Sequence, residues 1–306
     1  MGNVLLQSCI LIIIMILGYV VKKAGLFGKG DYRILNRLVM YFTLPGVIVT
    51  NFTKFEWENT LFFIPLLGIG INILMQICAC LFCRKKTDAE KIFYMLNLPG
   101  FSMGTFALPF IQNSLGTEGV VAACMFDAGG TIMPSGASYV CTSAILKERG
   151  EKEKVNAAFV VKRLLSSPPF LTYLVMVPLK VFDISLPSVI VTFADKVSDA
   201  NTFLCMLMIG MMFEMKLKKE QLKDVVKLLS TRVVFSTLVA VIILSCGFGT
   251  ESLRKALAVV LFSPIAALSL IFTDKIEGDT ELAGFANSLS IVLSMVIMTI
   301  LMMFPV

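Results

Sequence analysis

Long uncharged and mostly apolar runs divide the chain into segments separated by short charged stretches. An uncharged run of about 18 residues or more is long enough to cross a bilayer as a helix. Such runs, together with shorter ones that have charged residues near their ends, predict an all-α integral membrane protein with about ten transmembrane helices. The predicted helices are residues 4–21, 33–53, 60–83, 91–113, 118–146, 162–181, 187–213, 224–247, 252–273 and 280–304.

The basic residues are distributed unevenly among the predicted loops. With the amino terminus outside, the cytoplasmic loops hold 20 of the 27 Lys and Arg residues, as the positive-inside rule requires. We therefore expect a multi-pass protein of the cell membrane with both termini outside. The formal charge of +6 comes from Lys and Arg residues at the ends of apolar runs that contact the lipid bilayer. No nucleic acid partner is therefore predicted. Arg37 and Arg232 fall near predicted cytoplasmic helix ends, from where their side chains can reach the headgroups or, alternatively, contribute to a site.

A hydrophilic stretch near the middle, residues 147–154, divides the chain into two halves. We predict a first five-helix repeat in residues 1–146, a cytoplasmic linker in 147–159 and a second five-helix repeat in 160–306. Because five is an odd number, the two halves must enter the membrane in opposite directions. The organisation is therefore that of an inverted repeat.

Proline and glycine interrupt the fourth predicted helix and its counterpart in the second half, the ninth. A proline inside a membrane helix frees a backbone carbonyl that protein, water or ligand must satisfy. Two facing breaks would present opposed half-helix ends, whose amide groups can bind an anion. The alternative is that the prolines only kink the helices. The substrate-binding candidates at the breaks are Ser102, Gly104, Thr105, Pro109, Ser263 and Pro264.

Polar residues also recur on one face of the fifth and tenth predicted helices. The fifth carries Asp127, Thr131, Ser135, Ser138 and Thr142, and the tenth carries Asn287, Ser290 and Ser294. A carboxylate that persists inside a span must be protonated, paired or facing water. We predict that Asp127 and Thr131 bind a coupling proton or Na⁺, and that Asn287 and Ser290 contact substrate. Helix packing explains the hydroxyl groups as an alternative, but it explains the aspartate poorly.

The composition limits the chemistry. With no histidine, the commonest general base and any His-based zinc site are excluded. The eight cysteines fall in or beside apolar runs, where cysteine usually serves as a small buried hydrophobe. We therefore expect no metal site, no cofactor beyond a coupling proton or Na⁺, and no enzymatic activity.

Four stretches resemble the auxin efflux carrier family of secondary transporters, whose bacterial members include malate and malonate permeases. They are LGYVVKKAGLF at 17–27, LNRLVMYFTLPGVIV at 35–49, the element at 102–109, and DTELAGFANSLSIVLSMV at 279–296. The resemblance implies that the fourth and ninth helices cross at their breaks and that substrate binds near this crossing. Ser102 stands where the family usually has asparagine, and Ala107 where it usually has glycine.

Together these features predict a secondary active transporter that exports or exchanges a small organic anion, such as a carboxylate, by alternating access. The alternative is a membrane receptor that uses the same fold to bind a ligand without moving it. The sequence leaves open the identity of the substrate and the assembly, for which a homodimer is one alternative.

Overall fold

The computed structural model describes residues 2–28, 30–56, 58–146, 157–213 and 221–303, and within these ranges the regular secondary structure consists of helices and one isolated β-bridge. Residues 147–156, most of the predicted linker, lie outside the described ranges. The described α-helices are α1 (Gly2–Lys23), α2 (Tyr32–Leu38), α3 (Leu44–Lys54), α4 (Phe63–Phe82), α5 (Asp88–Asn97), α6 (Leu108–Ser114), α7 (Gly116–Gly130), α8 (Ser138–Leu146), α9 (Ala157–Leu165), α10 (Pro168–Val181), α11 (Ser188–Ser198), α12 (Asn201–Met212), α13 (Leu222–Ser245), α14 (Glu251–Val260), α15 (Ala267–Lys275) and α16 (Thr280–Met303).

Helices occupy all ten predicted segments, but many of these segments contain two helices. In the described part of the chain, four single helices are long and apolar enough to cross a bilayer, namely Leu6–Lys23, Thr60–Phe82, Leu222–Ser245 and Thr280–Met303. The α9 and α10 pair is also apolar enough, and its two members meet at an angle of 76°. These lengths and compositions are those of a multi-pass membrane protein.

The helices pack as two groups. The framework helices, α1–α3 and α10–α12, contact mainly one another, and the crossing helices, α4–α8 and α13–α16, do the same. Helix α1 packs closely along α12, because Gly210 has no side chain and a Cβ there would overlap the Met15 carbonyl. Contacts of α3 and α10 with α7 join the two groups.

The fourth and ninth segments are each broken, and the two breaks contact each other. The first break comprises residues 98–102, between α5 and a π-helical turn at Met103–Ala107 that leads into α6. The second comprises residues 261–266, between α14 and α15. Phe101 and Ile265 pair across them as an antiparallel β-bridge. Gly100 has a φ of +84°, which glycine adopts without strain. We call this contact between the two breaks the crossing.

The fifth segment differs from its prediction. Its polar residues do not share one continuous helix face, because α7 ends at Gly130 and the chain passes through a π-helical turn at Met133–Ala137 before α8. Gly136 in this turn has a φ of +139°. Pro134 and Gly136 therefore reorient the chain between Thr131 and Ser138.

Candidate functional site

The crossing borders the largest cavity described, with a volume of about 590 Å³. Both groups of helices contribute to its wall. The polar and charged side chains in the lining belong to Tyr32, Arg33, Asn36, Arg37, Ser102, Thr105, Asp127, Thr131, Ser167, Tyr173, Asp274 and Asn287.

Seven of the ten predicted site residues line this cavity. They are Ser102, Gly104, Thr105, Asp127, Thr131, Pro264 and Asn287. The Ser102 and Thr105 hydroxyl groups lie 2.9 Å apart and share a hydrogen bond. The Asn287 side chain is 8% exposed, and the described hydrogen bonds include none from its carboxamide. Two hydroxyls and a carboxamide from different halves of the sequence therefore meet in one space.

The other three predicted residues are near the crossing but do not line the cavity. Pro109 is buried in the first turn of α6, seven residues beyond Ser102. The Ser263 hydroxyl donates to the Val260 carbonyl at 2.6 Å. The Ser290 hydroxyl donates to the Asn287 carbonyl at 2.7 Å and accepts the Ile265 amide at 3.1 Å. Both hydroxyls hold backbone in place, and the first break is formed at residues 98–102 rather than at Pro109.

Asp127 joins the two groups of helices. Its Oδ2 atom accepts a hydrogen bond at 3.1 Å from the hydroxyl of Tyr173, which lies on the framework helix α10. A Cβ at Gly104 would lie 3.6 Å from the same oxygen, so the carboxylate is close to the first break. Among the residues that the structure describes, no ion pair includes Asp127. Its charge is therefore balanced by no neighbouring cation.

Several backbone amides at the crossing are already hydrogen bonded within the protein. The Gly100 amide donates to Asn72 Oδ1 at 3.0 Å, and the Ser102 amide donates to the Pro264 carbonyl at 2.9 Å. The Ile265 amide is bound by Ser290. The groups left facing the cavity are consequently side chains, together with the first turns of the helical segments that begin at Met103 and Ala267.

Four charged residues line the cavity. Arg33 and Arg37, on α2, are exposed, and Asp274, which is also exposed, contributes to the lining from α15. Asp127 is half-buried near the crossing. The cavity lining thus combines two exposed cations with two acidic side chains.

Comparison with known proteins identifies the family. Residues 4–302 match the profile of the membrane transport protein family, which is auxin efflux carrier-like. The chain belongs to this family. A relative from Methanothermobacter thermautotrophicus, named an uncharacterized transporter, is 24% identical over 291 residues, which is 93% of each chain. The predicted resemblance is confirmed, and the family indicates a transporter rather than an enzyme.

Three further side chains shape this transporter's site, and the sequence pattern assigned a definite place in it to none of them. Asn72 binds the first break, and its signal was an isolated amide in the middle of the apolar run 59–83. Arg232, for which the sequence left the headgroups and a site as alternatives, is 5% exposed beneath the crossing. Tyr173 gave no signal, because a tyrosine in an apolar helix fits a lipid interface equally well.

Proposed function

We propose that the transporter exports or exchanges a small organic anion, such as a carboxylate, across the cell membrane by alternating access. The observation that carries the proposal is the contact of two broken helices at one end of a large cavity. Helix-forming segments start at Met103 and Ala267 beside this cavity. The amino-terminal end of a helix carries a partial positive charge that favours anions. Asn287 and the hydroxyls of Ser102 and Thr105 add hydrogen-bond donors.

The helix arrangement supports ten spans arranged as an inverted repeat. Helices occupy each predicted segment, and broken segments stand fourth in the first half and fourth in the second. Both termini would then lie outside, with the 147–154 stretch in the cytoplasm. Single cysteines at positions 2 and 150, in a variant without the native cysteines, should react with an impermeant maleimide from opposite sides of the membrane. Reaction from one side only would contradict ten spans.

Asp127 is the residue proposed to couple transport to a proton or Na⁺. An ionised carboxylate and a substrate anion in one cavity repel each other by about 2 kcal/mol if about 8 Å apart at an effective dielectric of about 20. This corresponds to about thirtyfold in affinity. A bound proton or Na⁺ would remove that repulsion. By linkage, the ion and the substrate would strengthen each other's binding by the same factor.

Counterflow into proteoliposomes tests the function. Liposomes that contain the purified transporter and an excess of unlabelled malate or malonate should take up the labelled carboxylate, whereas protein-free liposomes should not. Carboxylate binding, measured as a raised melting temperature, without any counterflow would instead indicate a receptor. Neither binding nor counterflow for a panel of mono- and dicarboxylates would refute an organic acid as substrate.

A further inference from the structure

Arg232 contacts both breaks from inside the protein. From α13, its Nη1 atom donates to the Leu98 carbonyl and, at 3.1 Å, to the Gly100 carbonyl of the first break. Its Nη2 atom donates at 3.1 Å to the Ser263 carbonyl of the second break. The guanidinium carbon also lies 4.9 Å from the centre of the Phe101 ring. One planar cation thus bridges backbone from both halves of the sequence.

The charge of Arg232 is balanced without an acidic side chain. None of the ion pairs in the described ranges includes Arg232, although burying a lone cation is costly. Its carbonyl partners follow the carboxyl ends of α5 and α14. Each helix end carries about −0.5 elementary charge, so the two ends together offset about one positive charge. The guanidinium therefore satisfies two helix ends that would otherwise point at each other.

Other side chains at the crossing bind only one break. Asn72 binds the first through the Gly100 amide. Ser236 and Ser290 bind the second, through the Leu261 carbonyl and the Ile265 amide. Within the described hydrogen bonds, Arg232 is the side chain that binds the backbone of both. Its loss should therefore loosen the breaks relative to each other as well as individually.

We propose that Arg232 is a positioning residue that joins the two breaks, so that the crossing moves as one body during transport. The inference rests on the proposed transport function, in which the crossing faces each side of the membrane in turn. Arg232 has no place in the cavity lining and acts through the backbone that carries Ser102 and Pro264. Its role requires the charge and the planar fork of donors, which lysine and glutamine each reproduce only in part.

Amide hydrogen exchange tests this role without any substrate. In R232Q, exchange of peptides that cover 99–103 and 261–267 should accelerate at least tenfold, while peptides from α1 stay unchanged. R232K should lie between R232Q and the wild type. Arg254 provides the matched control, since it binds the carbonyls of Phe248 and Gly249 away from the crossing, and R254Q should exchange at both breaks as the wild type does.

Wild-type protection at both breaks in R232Q would overturn the inference. If R232Q does not fold, R232K decides: faster exchange confined to the two breaks supports the inference, and wild-type exchange refutes it. In counterflow, R232Q or R232K should raise KM at least tenfold, with R254Q within twofold of the wild type. Failure of the wild type to move any carboxylate would defeat the proposed function, whereas the exchange measurement would still report whether Arg232 joins the breaks.

A reversible cross-link tests whether the breaks stay together. Antiparallel partners such as Phe101 and Ile265 have Cα atoms about 4.5–5.5 Å apart, within disulfide range. The variant F101C/I265C, without the native cysteines, should show the same counterflow when oxidised as when reduced. Loss of counterflow on oxidation that reductant restores would mean that the breaks must separate, and would refute movement as one body.

Discussion

The fifth and tenth segments both bring polar side chains to the cavity, but they do so with different backbones and different chemistry. The fifth supplies Asp127 and Thr131 and is bent at Gly136. The tenth is a continuous helix, α16, that supplies Asn287. An ionisable group is therefore present on one side of the cavity and a neutral amide on the other.

This difference matches the two tasks that we propose for the site, recognition of the substrate and coupling to an ion. A carboxamide keeps the same charge at any physiological pH, so Asn287 suits recognition of the substrate. A carboxylate can change its charge by binding a proton or Na⁺, so Asp127 suits coupling. The Tyr173 hydroxyl ties this switchable group to the framework helices, which gives its charge state a direct path to the contact between the two groups of helices.

Giving the tenth segment a carboxylate should have the largest effect. N287D would place a further negative charge in the cavity, and repulsion of about 3 kcal/mol between it and the substrate, at a separation of about 6 Å and an effective dielectric of about 20, should raise the KM for a carboxylate about a hundredfold. N287A, which only removes donors, should raise it about tenfold. The measurement is counterflow at a series of substrate concentrations. A KM for N287D within threefold of the wild type would disprove a recognition role.

Removing the support that the tenth segment gives to the second break should have the next largest effect. In S290A the buried Ile265 amide loses its acceptor, at a cost of about 1–3 kcal/mol in stability. We expect a lower melting temperature in detergent and about tenfold slower counterflow. S294A, one turn further along α16, is the control, because the described hydrogen bonds include none from Ser294. Equal stability of the two variants would contradict the role of Ser290.

The hydrogen bond between Asp127 and the framework helices can be removed by deleting one oxygen atom. Y173F removes the hydroxyl that donates to Asp127 but keeps the ring beside Phe52. The ionised carboxylate loses a hydrogen-bond donor, so the pH dependence of transport should change. Counterflow rates between pH 5 and 9 would measure the change. An unchanged profile would mean that Tyr173 does not influence Asp127.

The smallest effect is expected far from the cavity, where α5 begins. Thr87 caps this helix in a reciprocal box with Glu90, and T87A should cost about 1 kcal/mol without changing the KM.

Hydrogen bonds from Lys86 and Thr87 lower the pKa of Glu90 from 4.5 to about 2. Its stabilising contribution is therefore present above pH 4.5 and is lost as the pH falls towards 2. The melting temperatures of E90Q and the wild type should converge as the pH falls through that range. A difference in melting temperature that stays constant would contradict a stabilising role of ionised Glu90.

The positions of the helices could be predicted from the sequence because lipid imposes a simple rule of length and apolarity. The breaks in the fourth and ninth segments could be predicted because proline and glycine interrupt both of these segments. The bend at Gly136 could not, because Pro134 lay in a segment whose hydroxyl spacing suggested one helix face. Pro134 and Gly136 favour a kink, but the helical spacing of the hydroxyl residues was given more weight in the prediction. The backbone does not follow that spacing.

The inner arrangement of the site depended on contacts between distant parts of the chain. Arg232 binds carbonyls 132 and 134 residues away, and Tyr173 lies 46 residues from Asp127. A hydropathy pattern reports how each segment meets lipid, but not which buried partner a polar side chain finds. The sequence therefore left Arg232 open between the headgroups and a site, and the structure buries it beneath the crossing.

Coupling through Asp127 is tested most directly by comparing accumulation with exchange in the same proteoliposomes. D127N keeps the size of the side chain but cannot change its charge. With an imposed proton or Na⁺ gradient, the wild type should concentrate a labelled carboxylate, whereas D127N, once shown to be folded by a single symmetrical size-exclusion peak, should exchange it without concentrating it. Gradient-driven accumulation by D127N equal to that of the wild type would contradict the account.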